Sequence, residues 1–331
     1  MSDKHYRIGV VGLGKMGLLH TSILNVLPNV ELAAICEKSS LTRKIVKKVI
    51  PNVPVLEDVS DFKGLNLDAV YVTTPISSHY AVAKTVYQQQ IARHLFIEKP
   101  LSSNYSQSKE LCDFASNVKG VNMVGYLRRF YVTFNKAKEL LDQNTIGEPQ
   151  SFMINAFSAD FCGVQNSPEA SIARGGVLRD LGSYAIDMAL WYFKDFQITS
   201  SKTKSLTGLG AEDAVYFTAQ QDHSGLQGEF SVSWCKEGYR MPEVIITVKG
   251  SKGTIEVNDD QVSLNLNGNG KTTWFRHNLN DNVKFWLGNP EYYREDAIFI
   301  EALKTNSMVE PNFKTAAKVD SLIETIQQKA N

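Results

Sequence analysis

Several features that usually direct a functional reading are scarce in this 331-residue chain. It has only four cysteines, Cys36, Cys112, Cys162 and Cys235, and no Cys-x-x-Cys pair. This argues against a disulfide framework or a zinc site and fits a reducing compartment. Its six histidines show no His-x-x-x-His spacing. Net charge is absent too: 35 basic residues balance 35 acidic ones, with no basic run of five. Nothing therefore favours nucleic acid or an anionic membrane as a partner. No run of 18 apolar residues occurs, and "MSDKHYRIGVVGLG" passes straight into an apolar strand without a cleavable leader. The expectation is a soluble, cytoplasmic protein.

What is present is ordinary globular composition, 43% hydrophobic and 21% charged, over a length that one core rarely serves. Two domains are expected, 1–124 and 125–331. In the first, the apolar runs "YRIGVVG", "VELAAIC", "LDAVYVTT", "RHLFIEKP" and "VNMVGY" alternate with helical stretches near 16–27, 40–49, 78–90 and 104–117. Buried strands alternating with helices predict a doubly wound parallel sheet. Beyond about residue 147 the period changes to two. "LQGEFSVSW" puts Leu226, Gly228, Phe230, Val232 and Trp234 on one face, and "EVIITVKGSKGTIEV" reads as a hairpin turning around Gly250–Gly253. The second domain is thus predicted to be α+β, with a large open, mainly antiparallel sheet closed by helices over 290–305 and 313–329.

"GVVGLGKMG" sets Gly12-x-Gly14-x-x-Gly17 between the first strand and the first helix. Gly12 permits the tight bend, Gly14 lets a diphosphate approach the backbone, and Gly17 lets helix and strand pack closely. The intervening Leu13, Lys15 and Met16 share that turn, and the helix N-terminus offers free N–H groups. The second strand ends at Glu37, about 20 residues beyond Gly17, where an acid meets the adenosine ribose hydroxyls. A Rossmann dinucleotide site is therefore expected. Glu37 favours NAD, while Lys38, Ser39 and Arg43 are near enough in sequence to serve the 2′-phosphate of NADP.

"HLFIEKPLS" ends a buried strand in Glu98-Lys99-Pro100, at the sheet end where ligands bind in open α/β folds. Taken alone, this segment describes a strand-end ion pair with a turn proline equally well. Thr73, Thr74 and Pro75 end another strand, with Ser77 as expected N-cap of the next helix. That turn suits the nicotinamide side of a cofactor; His79, in the first helical turn, is expected to be structural as well as near the cofactor. In "GGVLRDLGSYAID", Asp180 and Tyr184 stand four residues apart on an expected helix and would share a face. By itself this stretch describes a helix-capping aspartate beside a buried tyrosine. Arg128 and Arg129 of "YLRRF" are further candidates for a hydroxyl, carboxylate or phosphate, one of them open to being a plain surface charge. Arg174 has similar standing, and Asp187 is expected to be structural.

Taken in order, "GVVGLGKMG", "TTPISSHY", "FIEKPLS", "GYLRRF", "GGVLRDLGSYAID" and "VKGSKGTIEV" resemble the glucose–fructose oxidoreductase / inositol dehydrogenase / MocA family over nearly the whole chain. The resemblance implies an NAD(P)-dependent oxidoreductase acting on a secondary alcohol or ketone of a sugar, sugar nucleotide or cyclitol. It also implies a homodimer or homotetramer. Lys99 matches the lysine beside the nicotinamide and the reacting oxygen. Asp180 matches the aspartate that grips a substrate hydroxyl, and Tyr184 stands where many relatives carry a histidine acid/base. Arg128, Lys99, Asp180 and Tyr184 form the expected substrate contacts, and Glu98 and Lys99 also flank the cofactor. Ile76 departs from the asparagine that often follows the proline. Because a free tyrosine titrates near pH ~10, a nearby ammonium is needed to favour its phenolate at neutrality. The alternatives within the resemblance are an NAD-dependent glycosidase and a catalytically silent, nucleotide-binding regulatory protein.

Overall fold

The computed structural model describes residues 4–162, 168–280 and 289–330. The chain divides into two compact units, Met1–Tyr126 with Tyr292–Asp320, and Leu127–Glu291 with Ser321–Asn331.

The first unit begins with β1 (Tyr6–Val11), α1 (Lys15–Leu24), β2 (Val30–Cys36), α2 (Ser40–Val49) and β3 (Val55–Leu56). It continues through β4 (Ala69–Val72), α3 (Ile76–Gln88), β5 (His94–Glu98), α4 (Tyr105–Val118) and β6 (Asn122–Gly125). The strands are parallel in the order β3-β2-β1-β4-β5-β6. Strands β4 and β5 are buried at every residue, the pattern of strands covered on both faces. Strand order reverses between β1 and β4, which puts the ligand crevice of such a sheet at the carboxyl ends of these two strands. Two details differ from the sequence reading. β3 has two residues, too few to show a period, and α3 starts at Ile76 with Pro75, not Ser77, at its N-cap.

The expected boundary at 124/125 lies beside the one between Tyr126 and Leu127, but Tyr292–Asp320 also belongs to the first unit. The reason is visible at β6. Val124 N–H donates to Pro311 O at 2.9 Å, and Asn122 Oδ1 accepts from Phe313 N at 2.9 Å. Ser108 Oγ donates to the buried Asp320 carboxylate at 2.5 Å. A returning segment thus satisfies polar groups of the outermost strand that would otherwise need water.

In the second unit α5 (Val132–Asp142) and β7 (Pro149–Phe157) precede α6 (Pro168–Ala173) and α7 (Ser183–Phe193). Then follow β8 (Gln197–Lys204), β9 (Ala214–Gln220), β10 (Gln227–Ser233), β11 (Glu243–Gly250), β12 (Gly253–Val257), β13 (Gln261–Leu266) and β14 (Gly270–Phe275). The eight strands run in the order β14-β13-β12-β11-β7-β10-β9-β8, antiparallel except for β7 beside β10. Leu226, Gly228, Phe230, Val232 and Trp234 are all buried, as their alternation requires. Phe230 stacks on Phe217 at 4.2 Å, and Phe152 of β7 stacks on Phe193 of α7 at 4.3 Å. The chain ends with α8 (Pro290–Thr305) and α9 (Phe313–Ala330). Among the described residues no helix is long and apolar enough to cross a membrane.

Candidate active site

The first unit carries a cavity of about 760 Å³ at the carboxyl ends of its strands. It is lined by Gly12, Leu13, Gly14, Lys15, Met16, Glu37, Lys38, Thr73, Thr74 and Pro75 among others. The three glycines of the turn have different surroundings. Gly12 has φ +92°, a conformation that side chains rarely adopt. A methyl on Gly17 would overlap the Gly12 carbonyl oxygen, whereas one on Gly14 would meet nothing within 4 Å. Helix and strand therefore touch at Gly17, and open space is left over Gly14. Among the described residues no side chain caps α1, whose N-terminal N–H groups stay available to an anion. The Glu37 carboxylate is fixed by the N–H groups of Leu13 and Ser39, both at 2.7 Å. Turn shape, donors and acid fit a dinucleotide with its diphosphate at α1 and a ribose at Glu37.

Arg43 is differently placed from what a 2′-phosphate would need. Its guanidinium donates to Glu37 O at 2.8 Å and Lys38 O at 2.7 Å, and pairs with Glu57 at 2.7 Å. Ser39 caps α2 through the Thr42 N–H. These commitments and the fixed Glu37 charge favour NAD.

Lys99 follows β5 and is half-buried, and its bond to Pro100 is cis. His79, expected to touch the cofactor, is buried with its ring nitrogens 2.9 Å from Pro100 O and 2.7 Å from Thr74 O. Its place is thus behind two site turns, packed between the Lys99-Pro100 turn and the Thr73–Pro75 turn that lines the cavity. Burial lowers its pKa. Glu98 is likewise buried, with Oε2 accepting the Lys99 N–H at 3.1 Å. Its other oxygen lies 3.0 Å from His20 Nε2, and His20 Nδ1 lies 2.9 and 3.0 Å from the two oxygens of Asp296. Burial opposes charge on His20, but Asp296 and then Glu98 outweigh it and raise its pKa well above 6.5. Sequence reasoning missed this cluster, whose His20 and Asp296 are 276 residues apart.

In the second unit, Leu178–Gly182 forms one wide turn of π type ahead of α7. Asp180 therefore sits in that turn and Tyr184 in the helix, which corrects the expectation of one regular helical face. Asp180 Oδ2 accepts from Trp234 Nε1 at 3.1 Å and lies 3.5 Å from Arg174, which also pairs with Asp160 at 2.6 Å. Tyr184 lies under the Arg128 guanidinium, 4.6 Å from the ring centre. Arg128 also donates to Pro242 O at 2.8 Å and reaches Asp259 at 3.4 Å. Arg129 grips Asp187 with two bonds of 2.9 and 2.7 Å. Both arginines are buried, so neither is the surface charge allowed for above, and Asp187 is structural.

Residues 6–126 match the family described as "Oxidoreductase family, NAD-binding Rossmann fold", and residues 134–256 match the "GFO/IDH/MocA C-terminal domain". The chain is 24% identical to inositol 2-dehydrogenase of Rhizobium meliloti over 98% of its length and 97% of that protein. It is 27% identical to myo-inositol 2-dehydrogenase of Thermotoga maritima over 55% of its length, spanning only 53% of that relative. Its fold superposes on levoglucosan dehydrogenase in complex with NADH and levoglucosan with a TM-score of 0.88 at 18% identity, covering 99% of this chain and 97% of the other. With both halves matched in order, the glycine turn built as a dinucleotide cradle and the fold shared end to end, the chain belongs to the GFO/IDH/MocA oxidoreductase family.

Proposed function

We propose that this protein is an NAD-dependent dehydrogenase that interconverts a secondary alcohol and a ketone on a sugar or cyclitol, with Tyr184 and Lys99 as its acid/base pair. The observation that carries the reading is in the first unit: the buried His79 sits between the Lys99 turn and the Thr73–Pro75 turn, and the latter lines the same cavity as the glycine turn and Glu37. NAD bound there supplies the acceptor for the hydride of the carbinol carbon. Tyr184, as phenolate, takes the hydroxyl proton as the carbonyl forms, and in the reverse direction it returns that proton. The Lys99 ammonium stabilises negative charge growing on the reacting oxygen and favours the phenolate. Asp180, its orientation set by Trp234 and Arg174, accepts hydrogen bonds from neighbouring substrate hydroxyls. Arg128 holds the Tyr184 ring from one face. The relatives named as inositol dehydrogenases and the levoglucosan dehydrogenase support this substrate class. Assembly as a homodimer or homotetramer belongs to the same reading.

The test is net NADH formation from NAD with myo-inositol, scyllo-inositol, levoglucosan and glucose. Tyr184→Phe and Lys99→Ala are each expected to keep NAD binding and lose about 100-fold or more in kcat. Full activity in Tyr184→Phe would remove that residue from the mechanism. Cleavage of a glycoside without NADH accumulation would favour the glycosidase alternative.

A further inference from the structure

We infer that His20 is a positioning residue for the Lys99 turn, donating from both ring nitrogens to Glu98 and Asp296 and so tying α1 and α8 to the end of β5. The inference deepens the proposed function and rests on its reading of Lys99.

His20 is wholly buried, and a carboxylate faces each of its nitrogens. A neutral imidazole has one N–H, so one nitrogen would turn its lone pair toward a carboxylate oxygen. Burial pushes the Asp296 carboxyl up, toward a proton of its own, but with one carboxyl at each ring nitrogen the doubly protonated ring donates to both sides and also offsets buried negative charge. The groups around it are Glu98 on β5, Asp296 on α8, and the rings of Tyr71, Phe96 and Tyr292. Both carboxylates are buried, and Glu295, also buried, acts on Tyr71 beside them.

The chain of contacts ends at the residue proposed to do chemistry. Glu98 takes the His20 N–H on one oxygen and the Lys99 backbone N–H on the other. Gly125 pairs with Glu98 across the strands, and a Cβ there would stand 3.1 Å from Glu98 Oε2. The carboxylate therefore has room for this orientation because its neighbour has no side chain. Loss of the His20 proton would leave the carboxylates without their shared cation. Glu98 would then take up a proton or rotate, and the Lys99 main chain would lose its anchor. Since the protonated ring is the working form, activity that depends on it is retained at low pH and lost as pH rises through the His20 pKa.

The experiment compares the full-length wild type, Asp296→Asn, His20→Gln and Lys99→Ala. Readouts are NAD affinity, the pH dependence of kcat and KM with the polyol turned over best in the panel above, and ring ¹⁵N NMR of wild-type His20. Asp296→Asn is expected to hold NAD within about threefold of wild type, to lower kcat about tenfold or more, and to move the alkaline loss of activity to lower pH by about one unit. His20→Gln should lower kcat similarly without that titration. In the wild type both ring nitrogens should carry protons at about pH 7. Two results overturn the inference: a single protonated nitrogen in the wild type, or variants that unfold at lower temperature with kcat and pH profile unmoved. Full activity in Lys99→Ala would instead overturn the proposed function, while the NMR measurement still decides the state of His20.

Discussion

Gly14 and Gly17 lie three residues apart in one turn, yet alanine at each should fail for opposite reasons. At Gly14 the backbone has φ −66° and ψ −171°, which alanine adopts without strain, and a methyl there meets nothing within 4 Å. Two stability terms then oppose each other. Replacing glycine by alanine at a compatible position stabilises by ~0.4–1 kcal/mol through the unfolded chain. Alanine is also the poorer N-cap, costing up to about 1 kcal/mol. The two nearly cancel, so the cofactor-free Gly14→Ala protein should unfold within about 0.5 kcal/mol of wild type. Its methyl, however, occupies the open space over which a diphosphate reaches the backbone. NAD affinity should fall at least tenfold, about 1.4 kcal/mol. At Gly17 the methyl overlaps the Gly12 carbonyl oxygen, a backbone atom that cannot rotate away. Strand and helix must separate, and overpacking of this kind costs ~1–3 kcal/mol of stability before any ligand is added. Urea denaturation of the cofactor-free proteins and calorimetric titration with NAD separate the two effects. Wild-type NAD affinity in Gly14→Ala would show that the diphosphate does not lie over this turn.

Two stability predictions use buried charge. Asp187→Ala leaves the buried Arg129 guanidinium without its two-bonded carboxylate; the expected loss is about 3–5 kcal/mol by urea denaturation, and a loss near zero would contradict the buried pair. His94 is pushed down to about 4 by burial and by Arg93, and its Nδ1 accepts the Val121 N–H at 2.8 Å. The unfolded chain takes up this proton near pH ~6.5 and the folded chain only near 4, so stability is full above ~6.5 and falls as pH drops, by about 1–2 kcal/mol in all once solvent screening of the partly wet ring is allowed for. His94→Gln, which keeps an acceptor but does not titrate, should flatten that fall in parallel denaturation series at pH 5 and 7; identical pH slopes for the two proteins would refute the assignment.

Much of the architecture was legible from local rules. Apolar runs separated by helical stretches indicate a parallel sheet because strands covered on both faces have no polar side. The alternation of Leu226 to Trp234 indicates a one-sided sheet for the complementary reason. Gly12 and Gly17 were legible, since one answers to a backbone angle and the other to a close approach rather than to a distant partner. Asp180 was harder. The wide turn at Leu178–Gly182 leaves no signature in residue type, so Asp180 and Tyr184 read as one regular helix. The place of Tyr292–Asp320 was also hidden, because helical periodicity says which face is apolar and not which sheet it will cover.

Sequence alone thus determined the parallel first sheet, the alternating strands around residues 226–257, the glycine turn and the family resemblance, all of which depend on spacings of a few residues. The tertiary structure decided which charges are buried and what they face. Arg128 and Arg129 read as interchangeable neighbours, yet one lies over Tyr184 and the other grips Asp187. His20 gave no signal at all until the fold carried Asp296 to one side of it and Glu98 to the other. The physical reason is common to these cases: a side chain's ionisation and role follow from its desolvation and its charged neighbours, and both are properties of the packed chain.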